Sequence, residues 1–81
     1  MYIKEAVIMC FQELCKDRNI KNNELATISG VTPSTVYSMM DSRRKDLSVI
    51  TVKKLCDGLD ISIKDFFNSD LFSDELEQEI M

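Results

Sequence analysis

The side chains in this sequence that can do chemistry are few in kind. There is no histidine among the 81 residues, which removes the commonest general base and the commonest transition-metal ligand. Three cysteines, Cys10, Cys15 and Cys56, are an odd number for a disulfide framework, and no pair of them has the spacing of a zinc knuckle. They read as small hydrophobes on apolar helix stripes, with Cys15 half exposed. No glycine-rich phosphate loop and no spaced carboxylate pair stands out, so an enzyme is the least supported class and neither cofactor nor metal is expected. What remains is hydrogen bonding and charge. The hydroxyls of "TPSTVYS", residues 32 to 38, are followed closely by the cationic run Arg43, Arg44 and Lys45. Such groups hold a polar or anionic partner; they do not break its bonds.

Helices must position them, because no segment alternates with the period of a strand. Ile3, Ala6, Val7, Cys10, Phe11 and Leu14 recur at helical spacing and predict a first helix that stops near Asp17 or Arg18. Asn19 is suited to the left-handed cap, and Ile20 to folding back on the last turn. A second helix runs through "NNELATIS", burying Leu25, Ala26 and Ile28, with Asn22 a better N-cap than Lys21. Gly30 follows it where a left-handed residue satisfies the last carbonyls without a β-carbon penalty. Thr32 then caps a third helix with Pro33 in its first position, where the missing N–H is no loss. Two helices joined by so short a connector, with Gly in the turn, form a helix-turn-helix.

The third helix, 33 to 41, turns Val36, Met39 and Met40 inward and leaves Ser34, Thr35, Tyr37 and Ser38 outside. Small hydroxyl side chains let a helix sit deep in a DNA major groove and bond to base edges or phosphates. Ser and Thr are also ordinary near a helix start, and a run such as Arg43–Lys45 is also ordinary in a solvated loop. Ser48 caps a fourth helix with Val49, Val52, Leu55, Cys56 and Leu59 inward, ending near Gly58. "SIKD" opens a fifth on Ser62, presenting Ile63, Phe66 and Phe67 to the core.

The net charge of −4 argues at first against a nucleic-acid partner, but it is unevenly distributed. Residues 16 to 54 hold eight basic side chains against four acidic ones, whereas residues 55 to 81 hold Lys64 against eight acids. The basic part brackets the helix-turn-helix.

With "ELA", "SGVTPSTV" and "LCDGLDISIKDFF" in this order, residues 3 to 68 resemble the Cro/CI (XRE-type) helix-turn-helix family of bacterial and phage transcriptional regulators. The resemblance implies an all-α, five-helix lambda-repressor-like bundle whose second helix crosses the DNA backbone and whose third enters the major groove. By position it implies that Asn22 contacts phosphate and braces the third helix. Thr32, Pro33, Ser34, Thr35 and Ser38 would approach bases and backbone, Tyr37 would share their exposed side, and Arg43 and Lys45, with Arg44 between them, would meet phosphates. Two features depart from the family pattern. Asp41–Ser42 replaces the usual glycine-containing close of the third helix, and no Gln, Asn or Arg within that helix can make a bidentate base contact.

Residues 1 to 69 are therefore expected to form the DNA-binding domain and 70 to 81 an acidic tail. In the tail, Phe72, Leu76 and Ile80 would line one side of a sixth helix capped by Ser73 and pair two chains as a homodimer. No apolar run has the roughly 20 residues that span a bilayer. No secretory start is evident either, so a cytoplasmic location is expected, without membrane or small-molecule effector. The expected function is a stand-alone, sequence-specific regulator of the repressor type acting on double-stranded DNA. The alternative is a helix-turn-helix protein-interaction module, antirepressor or antitoxin-like, with weak DNA binding or none.

Overall fold

The computed structural model describes residues 1–80 and contains five α-helices: α1 Ile3–Asp17, α2 Asn22–Ser29, α3 Pro33–Met40, α4 Val49–Gly58 and α5 Ile63–Phe66. A 3₁₀ turn, Asp70–Phe72, follows, and no strand is present among the described residues. All five helices expected from the sequence form, and α2 packs against both α3 and α4.

Helix boundaries follow local chemistry. Ahead of α1, the Glu5 carboxylate accepts the Tyr2 N–H at 3.2 Å, an acceptor placed at the positive end of the helix. Asn19 takes φ +54°, and the Ile20 N–H reaches back to the Cys15 carbonyl at 3.0 Å, closing α1 as the sequence predicts. The same closure ends α4, where Asp60 is left-handed at φ +55° and the Ile61 N–H bonds to the Cys56 carbonyl at 3.0 Å. Gly58 serves a different purpose, since a β-carbon there would lie 2.9 Å from the Ser29 Cα. It lets the end of α2 approach α4 closely.

The core joins all five helices through Phe11, Leu25, Val36, Leu55 and Phe66, each at most 1% exposed. Phe66 is the hub of an aromatic cluster, with ring centroids 4.4 Å from Phe11, 5.0 Å from Phe67 and 5.7 Å from Phe72. Phe67 lies at the rim of this cluster and is 36% exposed.

Several expectations are corrected. Ile28 is half exposed, because the buried side of α2 runs through Asn22, Leu25, Ala26 and Ser29, one position out of phase with it. Val49 occupies the first turn of α4, beyond the edge of the core, and is exposed. Asn22 is not the N-cap of α2. Lys21 holds that position, and the Glu24 carboxylate accepts its backbone N–H at 3.4 Å in place of a side-chain cap. In α1, Ile3 is exposed while Lys4 and Ile8 are buried, so the stripe is rotated toward Lys4, Ile8, Phe11 and Cys15; Cys15 is buried with it.

The sixth helix does not form within the described residues. Phe72 is captured by Phe66 and Phe67, and Ser73 accepts the Glu75 N–H at 3.3 Å, a turn bond two residues on. Beyond it the chain runs back along the start of α1, with the Glu77 N–H on the Met1 carbonyl at 2.9 Å and Glu79 accepting the Ile3 N–H at 3.2 Å. Phe72 and Leu76 are half-buried and Ile80 is exposed, so the three make no continuous apolar face. The last residue, Met81, lies outside the described residues.

Candidate nucleic-acid interface

The turn between α2 and α3 is built on two backbone requirements. Gly30 sits at φ +69° and its N–H caps α2 through the Ala26 and Thr27 carbonyls. A β-carbon added there would meet nothing within 4 Å, so glycine is needed for its conformation and not for space. Two residues later the Thr32 hydroxyl accepts the Thr35 N–H at 3.2 Å and lies 3.0 Å from the Thr35 hydroxyl. Pro33 then sets the first turn.

α3 is anchored by Val36 and Met39, both buried, with Met40 and Val31 packed against the core. Ser34 and Tyr37 are exposed, Thr35 and Ser38 half-buried, and Thr32 and Pro33 exposed at the leading end. The outward face carries hydroxyls and no long cationic side chain, a shape that lets the helix axis approach a groove floor closely. Asn22 is half-buried at the start of α2.

The loop from Asp41 to Ser48 explains the departure from the family pattern at the end of α3. Asp41 Oδ1 accepts the Arg43 N–H at 3.0 Å, and its carbonyl accepts the Arg44 N–H at 3.1 Å, a tight turn that needs no glycine. The Arg43 guanidinium grips the same carboxylate in a two-point contact, Nε to Oδ1 at 3.0 Å and Nη2 to Oδ2 at 3.1 Å. The hydrogen bonds from Arg43 hold the Asp41 carboxyl below its ordinary range. Of the three expected phosphate contacts, Arg43 thus starts out paired to Asp41, while the Lys45 ammonium stands 5.4 Å from the centre of the Tyr2 ring.

Arg44 differs. It lines an open cleft of about 280 Å³ with Ser34, Thr35 and Ser38 on one wall and Ser48 and Thr51 on the other. At its base is a residue to which sequence reasoning gave no role. Lys4 is 5% exposed, and its ammonium donates to the Asp46 carbonyl at 2.8 Å, tying α1 to the loop. Burial lowers its pKa, and the carboxylates of Asp46 and Asp41 oppose that shift. The signal was present in the sequence, since Lys4 falls on the apolar spacing of Val7, Ile8 and Phe11.

The cysteines form no such site. Cys10, Cys15 and Cys56 are free and buried, and burial pushes the Cys10 and Cys56 thiols up to about 11. Among the described residues no group of metal-ligating side chains converges, and no helix is long and apolar enough to cross a membrane.

A glycine-hinged helix pair, a hydroxyl-faced second helix and a cationic cleft beside it define a DNA-binding helix-turn-helix protein. The chain belongs to the family of Cro/C1-type HTH DNA-binding domains, whose family model matches residues 11–70. It is similar to the crystal structure of the prophage Lp1 protein 11, with a TM-score of 0.80 and 33% identity over 91% of this chain and 99% of that one. No curated protein matches it.

Proposed function

We propose that this protein is a sequence-specific transcriptional regulator of the repressor type, acting as a homodimer on double-stranded DNA with α3 in the major groove. The observation that carries the reading is the placement of Ser34, Thr35 and Ser38 between the left-handed Gly30 and the Arg44 cleft. Thr32, Pro33 and Tyr37 extend this face toward bases and backbone. Asn22, Arg43 and Lys45 flank it as phosphate partners, Arg43 exchanging Asp41 for a phosphate oxygen.

A domain of this kind represses by occupying a site that other proteins need, and the prophage origin of the similar crystal structure fits that role. Pairing is favoured by the plainness of α3. With no side chain able to make a bidentate base contact, one copy discriminates few base pairs, whereas two copies would read half-sites about 34 Å apart. The full chain should therefore sediment as a dimer at tens of micromolar, or pair on its DNA; a monomer bound 1:1 to a palindromic site would contradict this.

Selection of bound sequences from random DNA, followed by a reporter carrying the selected site in its promoter, tests the function. Expression should fall with the wild-type chain and recover with Ser34→Glu, which places a negative charge against the groove. Absence of any selected sequence would leave the protein-interaction module as the better reading. The acidic tail beside the loop favours that alternative, since Gln78 and Glu79 share a groove with Ser42 and Lys45.

A further inference from the structure

We propose that the cleft between α3, the 41–48 loop and the start of α4 is a binding site for one phosphate group, with Lys4 and Arg44 as its cationic ligands. The inference deepens the DNA-binding reading and rests on it for the source of the phosphate.

Lys4 lies outside the helix-turn-helix, on the first turn of α1, yet its side chain is almost wholly buried and lines this cleft. An ammonium has three donors. One is used on the Asp46 carbonyl at 2.8 Å, which leaves two for a ligand. Keeping an unpaired cation this deep is costly unless an anion or a set of acceptors completes its shell. Arg44 adds a second cation, and unlike Arg43 it forms no ion pair with a carboxylate among the described residues. Asp46 also lines the cleft, so the charged lining is two positive groups against one negative, suited to a singly charged phosphodiester.

The hydroxyls supply the rest. The Ser48 oxygen accepts the Thr51 N–H at 3.2 Å, and its own O–H remains a donor. Ser34 and Ser38 bring two more from α3, and the ten-residue α4 begins at this wall with its positive end. A phosphate held here would fix the loop, α1 and the recognition helix to one point on the DNA backbone.

The test uses the full chain with inorganic phosphate and DNA as separate probes. Titrating phosphate while following the amide resonances of Ser48 and Thr51 should give saturable shifts in the wild type, absent in Lys4→Met and Arg44→Gln. In DNA binding, each variant should lower the slope of log K against log salt by about 0.9, a 3.5-fold effect over a fourfold change in salt. Phosphate shifts with unchanged DNA slopes would assign the cleft to free phosphate; reduced slopes without phosphate shifts would assign it to DNA alone. The absence of both effects would overturn the proposal. So would a reduced slope in Lys4→Met only, accompanied by altered loop resonances in the free protein, because Lys4 would then merely anchor the loop. Should Lys4→Met fail to fold, Arg44→Gln, on an exposed side chain, still decides. If the wild type binds no DNA, the DNA reading fails while the phosphate titration still reports on the cleft.

Discussion

The nineteen residues 30 to 48, net positive by one, and the twelve residues 69 to 80, whose charges are all acidic, are held in opposite ways. In the first, every change of direction has its own local device: the left-handed Gly30, the Thr32 cap, Pro33, the Asp41 turn and the Ser48 cap. In the second, beyond the hydroxyl turns at Ser69 and Ser73, the anchors are tertiary. Phe72 docks on Phe66 and Phe67, and the remainder leans on α1 through two exposed hydrogen bonds. Locally determined structure is what would present a rigid face to DNA on the reading proposed above; structure held from a distance can be released without disturbing that face.

Removing the aromatic hub should have the largest effect and should separate the two regions. Phe66→Ala should cost about 3–5 kcal/mol in urea unfolding, and any folded fraction should lose hydrogen-exchange protection in the tail before it does so in α3. Loss of α3 first would mean that the turn depends on the cluster as well.

Alkaline pH tests the core beneath both regions. Cys10 and Cys56 keep their protons up to about pH 11 when folded, whereas the unfolded chain releases them near 9. The folded state then binds more protons, so stability should fall as pH rises above 9, by up to about 1.4 kcal/mol per unit for each thiol. Cys10→Ser/Cys56→Ser should reduce that slope, with Cys15, whose thiol burial also pushes up, keeping the remainder, which melting curves between pH 8 and 10.5 would show.

Gly30→Val isolates a local device. With open space around the position, the cost should be purely conformational, about 1–2 kcal/mol, and should appear as a lower melting temperature. Truncation after Ser73 should be the mildest change, about 1 kcal/mol or less for two exposed hydrogen bonds, with α3 resonances unmoved.

The same contrast governs what the sequence makes legible. Gly30, Thr32, Pro33, Asn19 and Ser48 act within a few residues of themselves, so the turn, the caps and the helix ends can be read from residue types. The tail's spacing of Phe72, Leu76 and Ile80 satisfies a helical period equally well, but periodicity cannot show that Phe66 and Phe67 lie close enough to take Phe72. Ile28 is misplaced for a related reason: an eight-residue helix leaves its phase uncertain by one position, and the close approach of Ser29 to Gly58 decides it. Of the candidate interface, the hydroxyl face of α3 is legible in the sequence. The burial of Lys4 depends on how the loop folds over α1, 42 residues away, which residue types do not encode locally.

The most direct measurement is the affinity of the full chain for a selected DNA site and for random DNA, across a salt series from 50 to 300 mM. If α3 and its loop form a DNA-reading face, binding to both should weaken steeply and linearly on logarithmic axes, with the selected site tighter by at least about a thousandfold at each salt concentration. Equal affinity for both DNAs, or binding that does not respond to salt, would contradict it.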